Sequence, residues 1–336
     1  MRVMDKLTSK PLQDFEVRMG KDEAGTRYTA PNAAFPMPSS TSSRVGLHVR
    51  AKGYREANEI VEVLFGNLPA GAAVLLDDFA VVLEPESVRG AVVDKDSGKP
   101  IEGATIGFER ASGDATTTTG PDGAFDLQVQ NVAGTDYLSV KHDRYAPCYF
   151  PLSDATPDLS IRLGQGGMLK GVIHGNGSVV ENLLPTLELH LGPRGPFVAG
   201  DGNANNGFSE WSKLAPGTYI LRLVATRSGE DWGRMPVTIV EGTTTRYEVD
   251  ISTFGGVQGM LSSMPDPASM NVELAPASMP QWPIYTMHPD ASGRFKIGSV
   301  PPGRYLIRVV DHAGRQYGST SSCTISPGEW VELAVQ

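Results

Sequence analysis

The sequence predicts an all-β chain, a tandem array of four small antiparallel β-sandwiches within 336 residues. Three observations predict it. Landmark residues recur at one spacing along most of the chain. Apolar and polar residues alternate after those landmarks, as they do in strands with one buried face. Glycine (38) and proline (25) exceed their usual share, as many tight turns between short strands require, yet stay below the level of a disordered low-complexity chain.

The clearest landmark is Asp or Asn, then Gly, then Phe: Asp122-Gly123-Ala124-Phe125, Asn205-Asn206-Gly207-Phe208 and Asp290-Ala291-Ser292-Gly293-Arg294-Phe295, with the phenylalanines 83 and 87 residues apart. Gly supplies the positive φ of a hairpin turn, and the aromatic opens the next strand. A tyrosine follows each at a similar distance (Tyr137, Tyr219, Tyr305), and a Gly-x-hydrophobic start precedes each by 35 to 37 residues at Gly90, Gly171 and Gly259. Pro216-Gly217 and Pro302-Gly303 mark further turns, because proline fixes φ and glycine accepts the next position. Tyr219, Leu221 and Leu223 then share one strand face with Arg222 on the other, and Tyr305, Ile307, Val309 and Arg308 repeat the arrangement.

Residues 1–86 read as a divergent copy. Thr8-Ser9-Lys10-Pro11-Leu12 echoes Ser97-Gly98-Lys99-Pro100-Ile101, 89 residues later, and the alternating Val45, Leu47, Val49 and Ala51 lead into Gly53-Tyr54. Only Arg2-Val3-Met4 precede Asp5, so this copy is expected to be truncated, or the chain to be part of a longer protein. The expected modules are 1–86, 87–165, 166–252 and 253–336. Their joints, near Pro85-Glu86, Gly164 to Gly167 and Thr253 to Gly256, are two to four residues long, too short for free swinging. Helical periodicity is nearly absent; the best candidate, Arg55 to Leu64, fits a strand equally well.

A net charge of −9 without any basic patch repels phosphate backbones and argues against nucleic acid as a partner. The N-terminus lacks the apolar stretch of a signal peptide, and no apolar run is long enough to span a membrane. Cys148 and Cys323, 175 residues apart, are expected as buried or half-buried thiols rather than a disulfide.

The run Val88-Arg89-Gly90-Ala91-Val92-Val93-Asp94, then Ser97-Gly98-Lys99-Pro100-Ile101-Glu102-Gly103-Ala104, then Thr119-Gly120-Pro121-Asp122-Gly123-Ala124-Phe125 resembles the carboxypeptidase-regulatory-like domain. Residues 166–252 and 253–336 keep the frame without the Pro-Ile-x-Gly-Ala element. The resemblance implies a prealbumin-like (transthyretin-like, Ig-like Greek-key) sandwich of about seven strands per module, within a fold grouping that includes carbohydrate-binding modules. It also implies spacing, adhesion or protein contact, and an extracellular or periplasmic bacterial location.

No catalytic centre, metal or cofactor is expected. None of the six histidines has glutamate three residues on, Cys-x-x-Cys is absent, and so are Gly-x-Ser-x-Gly and a P-loop. Gly255-Gly256-Val257-Gln258-Gly259 reads as a flexible joint plus a module start. Asp94-Lys95-Asp96-Ser97-Gly98 resembles the front of a calcium loop but lacks the closing glutamate, so turn chemistry explains it better. The same holds for Asp201 to Gly207. His142-Asp143 reads as a solvated turn. Among the tryptophans, Trp232 aligns with Tyr317 of the next copy and is expected to pack, as is Trp330. Trp211 and Trp282 have no aromatic counterpart. Together with Tyr285, in the proline-flanked run Pro280 to Tyr285, they are the candidate ligand contacts, on the expectation that they are exposed. The expected function is a non-catalytic structural, adhesion or spacer segment, a semi-rigid rod whose partner is a protein. A glycan-binding array using those three residues, with a cell-surface glycan as partner, and an accessory region of a larger enzyme are the alternatives.

Overall fold

The computed structural model describes residues 2–19, 26–29, 44–62, 80–108, 116–129, 137–152, 159–175, 177–190, 196–201, 203–205, 207–261 and 266–335. Val63 and Leu64 of the helix candidate, and Gly202 and Asn206 of the second oxygen-rich loop, lie outside them. The chain divides into two compact units, residues 1–164 and 165–336.

The first unit opens with β1 (Arg2–Asp5), β2 (Phe15–Met19), β3 (Thr26–Tyr28), β4 (Arg44–Arg50), β5 (Ala57–Glu62) and β6 (Ala80–Leu83). β1 pairs with β6, and a second sheet runs β3-β2-β4-β5. Val3, Val81 and Leu83 of the first pair against Phe15, Val17, Leu47 and Val49 of the second form the core. The helix candidate is therefore strand β5, antiparallel to β4. Next come β7 (Ser87–Asp94), β8 (Thr105–Phe108), β9 (Thr116–Thr118), β10 (Ala124–Gln128), β11 (Tyr137–Lys141), β12 (Cys148–Pro151) and β13 (Leu159–Leu163). They form the sheets β10-β7-β13 and β12-β11-β8-β9, closed over Val92, Ile106, Leu127, Leu138, Val140 and Ile161.

The second unit has two sheet pairs of the same plan. β14 (Gly167–His174), the single turn α1 (Gly177–Val180), β15 (Leu183–His190), β16 (Pro196–Asp201), β17 (Asn203–Asn205), β18 (Phe208–Leu214), β19 (Gly217–Ala225), β20 (Asp231–Ile239) and β21 (Thr244–Asp250) form sheets β17-β18-β14-β21 and β16-β15-β19-β20. β22 (Gly255–Leu261), β23 (Met270–Pro276), β24 (Tyr285–Met287), β25 (Arg294–Val300), β26 (Gly303–Asp311), β27 (Gln316–Ile325) and β28 (Trp330–Val335) form sheets β25-β22-β28 and β24-β23-β26-β27.

The all-β sandwich architecture matches the expectation, but the sheets are not wholly antiparallel. In each sheet pair the first strand lies parallel to the last: β1 with β6, β7 with β13, β14 with β21, β22 with β28. A parallel pair needs a long crossover between its strands, and here the whole body of the sandwich is the crossover. Each sandwich consequently takes the chain in at one end and lets it out at the other.

The Gly-x-hydrophobic landmark now has a physical cause. Gly90, Gly171 and Gly259 sit in the middle strand opposite the closing strand, where a Cβ would stand 2.3 Å from Leu159 O, 2.1 Å from the Tyr247 ring and 2.1 Å from Leu333 O. Across the antiparallel side the three glycines face Phe125, Ser209 and Phe295. Phe208 is therefore not the counterpart of the other two phenylalanines. It follows its turn glycine directly, one residue early, and a one-residue offset puts a side chain on the opposite face; Phe208 is 62% exposed. Tyr247, from β21, lies beside Gly171 and supplies the missing ring, its hydroxyl hydrogen-bonded to Ser209 Oγ. Two of the three landmark tyrosines share one arrangement: Tyr219 donates to Ala215 O and Tyr305 to Pro301 O, both at 2.9 Å, the geometry of a tyrosine corner.

The first two sandwiches share another device. Asp5 and Asp94 end their first strands and accept turn N–H groups, from Leu7 and Thr8 in one case and from Asp96 and Ser97 in the other. Their second oxygens accept the hydroxyls of Tyr54 at 2.7 Å and Tyr145 at 2.8 Å. Where the second turn has Gly98 at φ 68°, the first has Ser9 at φ 55°.

Candidate functional site

The three candidate contact residues lie in the second unit, and the structure builds each of them inward. Trp211 faces the interior because β18 alternates, with Ser209, Trp211 and Leu214 buried. It pairs with Leu169 as Ile297 pairs with Val257 in the next sandwich. Its counterpart is aliphatic, which is why an aromatic-by-aromatic alignment shows none. At 5% exposure its ring is not presented at the surface, contrary to the expected exposure.

Trp282 and Tyr285 close the loop between β23 and β24. The Trp282 N–H donates to Met279 O at 3.0 Å, and both rings pack, partly buried, on the core formed by Val272, Leu274, Ile284, Phe295 and Ile307. The Tyr285 hydroxyl accepts the Arg234 N–H at 2.8 Å and lies 3.1 Å from both Arg234 O and Ser299 O, to which it donates. β20 is the edge of its sheet, so the outward N–H and C=O of Arg234 have no strand to pair with; one phenol serves both. Burial pushes the Tyr285 hydroxyl well above the ordinary tyrosine range. Arg234 also donates to Ile284 O and pairs with Asp231, which pairs with Arg222, which pairs with the buried Glu188. Tyr285 thus stitches β24 and β25 to the edge of the preceding sandwich, and its polar atom is fully engaged.

The oxygen-rich site at Asp94 resolves into turn chemistry. Asp94 Oδ1 accepts the N–H and hydroxyl of Ser97, and Oδ2 accepts from Tyr145; these bonds hold its carboxyl down to about 2. His142 Nδ1 accepts the Arg144 N–H at 3.1 Å within its turn. Among the described residues no three His, Cys, Asp or Glu side chains converge as a metal site. Cys148 and Cys323 are free thiols, both pushed up by burial. No helix of the described residues is long and apolar enough to cross a membrane.

Two surface features of the second unit stand beside these. An open trough of about 780 Å³ runs over the outer face of β14, β18 and β21 beside Phe208, where Lys170 pairs with Glu210 at 3.0 Å and Glu248 with His174 at 2.9 Å. The other is Trp330. Against the expectation of packing it is 43% exposed. Gly255 and Gly256 are not a joint but strand residues of β22, and the Trp330 ring lies over Gly256 and Gly298. The signal was legible in Trp330-Val331-Glu332-Leu333: alternation puts Trp330 on the face of the charged Glu332.

No protein-family model matches the chain, and no curated protein sequence matches it. Among solved structures it is similar to the TIE protein of Bacillus anthracis (13% identity over 96% of this chain and 68% of that one, TM-score 0.23). It is also similar to GBS52, the minor pilin of Streptococcus agalactiae (16%, 49% and 94%, TM-score 0.26), and to BcpA, the major pilin subunit of Bacillus cereus (12%, 74% and 98%, TM-score 0.20). Likeness of this degree leaves the function to be argued from the chain's own residues.

Proposed function

We propose that the chain is a non-catalytic structural and adhesion segment of an exported bacterial protein, acting as a spacer through protein contact. Its modules are 1–86, 87–165, 166–252 and 253–336, the second being carboxypeptidase-regulatory-like. The observation that carries this reading is the parallel pairing of first and last strands in every sandwich. Tension along the chain pulls the two strands of each pair past one another, so their hydrogen bonds are loaded together rather than peeled singly.

Stitches between consecutive sandwiches within each unit support it. In the first, Leu7 is buried with the core of the second sandwich, Val129 N–H donates to Glu86 O and Arg55 bonds Val129 O. In the second, Tyr285 and Arg234 do the same work. Protein contact is supported by β27. From Gln316 to Ile325 this edge strand has no charge and no proline, whereas its counterpart β20 carries Asp231, Arg234 and Pro236, the usual guards of an exposed edge.

Single-molecule pulling on the full chain between its ends tests the reading. Extension is expected in discrete force peaks spaced by roughly 25–30 nm, the length of about 80 extended residues. Extension without force peaks overturns it.

A further inference from the structure

The outer face of β25-β22-β28 carries an aromatic surface that packing alone does not explain. Val257 and Ile297 point into the core, so Gly256, Gln258, Lys296 and Gly298 point out. Trp330 stands opposite Gly256, and Gln258 lies between Lys296 on one side and Glu332 on the other. A Cβ on Gly256 would stand 2.5 Å from Trp330 Cζ3, and one on Gly298 would stand 3.1 Å from Cη2. Both neighbouring strands therefore give up their side chains where the indole lies. The ring is seated on backbone, yet 43% of the residue remains open to solvent. Burying a residue of this size is among the larger gains a fold can make, and here much of that gain is forgone while the ring is held in place.

The surroundings indicate what the exposed ring suits. The Lys296 ammonium lies 4.4 Å from the ring centroid, drawn by the negative charge of the π face. The C–H face of a pyranose carries the complementary partial positive charge. Gln258 and Glu332 beside the ring offer a donor–acceptor amide and an acceptor, and the Lys296 ammonium, which lies over the ring, offers donors once a stacking sugar displaces it to the ring's edge; these are the groups that hydroxyls need. A protein hot spot would instead be expected in a dry, closely packed pocket.

We propose that Trp330, with Lys296, Gln258 and Glu332, is a platform for one pyranose unit of a glycan chain, stacked on the indole. The site is independent of the spacer role, which rests on strand pairing and edges elsewhere. The same platform accepts a neutral or an acidic sugar, and the choice between them falls to Lys296.

The test titrates the full chain with tetrasaccharides of β-1,4-linked glucose, N-acetylglucosamine and glucuronate, following the Trp330 indole N–H resonance and binding heat. At least one is expected to shift that resonance saturably, and preference for glucuronate assigns the Lys296 charge to recognition. Trp330→Ala is expected to weaken binding roughly tenfold or more. Trp330→Tyr, which keeps a ring, retains binding within about threefold of the wild type, and Gly298→Val, whose added side chain meets the Trp330 ring, weakens binding. The proposal is overturned if none of the sugars shifts the resonance, or if Trp330→Ala binds as well as the wild type. Self-association that Trp330→Ala abolishes, without saccharide binding, also overturns it and gives the face to a second copy of the chain. None of these outcomes alters the force peaks expected of the spacer.

Discussion

Replacing Tyr285 by Phe removes one oxygen and nothing else, and the structure fixes what that oxygen does. The Arg234 N–H loses its acceptor at 2.8 Å, and the carbonyls of Arg234 and Ser299 lose the donor at 3.1 Å. A buried donor left without a partner costs about 1–3 kcal/mol. For a unit of this size each kcal/mol moves the melting temperature by about 2–4 °C, so Tyr285→Phe should melt roughly 2–12 °C lower. All four tryptophans lie in the second unit, so thermal unfolding of the full chain followed by tryptophan fluorescence reports on that unit alone. The linkage sign follows from the raised pKa: the folded state holds the phenolic proton more tightly than the unfolded state does. The stability it lends is complete below the unfolded value near 10 and is lost as pH rises above it. Tyr285→Phe should therefore flatten part of the alkaline decline. Unchanged melting at neutral pH together with an unchanged alkaline slope would refute the bridge between β20 and β24.

Three further outcomes are expected. Ser9→Gly relieves a left-handed residue at φ 55° and should stabilise the first unit by up to about 1 kcal/mol, the left-handed strain less the entropy glycine gains when unfolded; the denaturant midpoint measures it. Tyr247→Ala should destabilise the second unit by about 3 kcal/mol or more, while Phe208→Ala, at an exposed position, should stay within about 0.5 kcal/mol; the reverse order would show that Phe208 fills the core after all. Asp94 is held down to about 2, first by the Ser97 N–H and hydroxyl and then by Tyr145, so its contribution is present above the unfolded value near 3.9 and is lost as pH falls toward 2. Asp94→Asn should lower stability at neutral pH and flatten that acid slope in a pH series of urea melts.

The strands and the repeat were legible because they are local: a turn glycine with positive φ and period-two alternation leave their mark within ten residues. The turns at Asp5 and Asp94 and the tyrosines at 219 and 305 follow from the same signals. The parallel closure was not legible, since β14 and β21 are far apart in sequence and a buried strand reads alike in either direction. Phe208 shows a different limit. The landmark spacing tolerated a one-residue offset, but a pleated strand does not, and the ring that compensates comes from β21, which no landmark marks. Trp211 was singled out because Ile297 does the same work without an aromatic ring. Tyr285 was singled out because its proline-flanked surroundings look like an exposed loop, while the bond that occupies it comes from Arg234, 51 residues earlier.

The glycines of the middle strands meet their closing partners 69, 76 and 74 residues later, at Leu159, Tyr247 and Leu333. During synthesis each sandwich therefore leaves one side of its middle strand unpaired until almost the last residue has emerged. Such distant pairing makes folding slow, and the waiting edge is a template for the wrong neighbour. Four copies in series form four such seams, each open only while its own copy is being made. A chain cut short within β21 or β28 should then aggregate, whereas one that ends just after either strand should not, because only the second has closed its last seam.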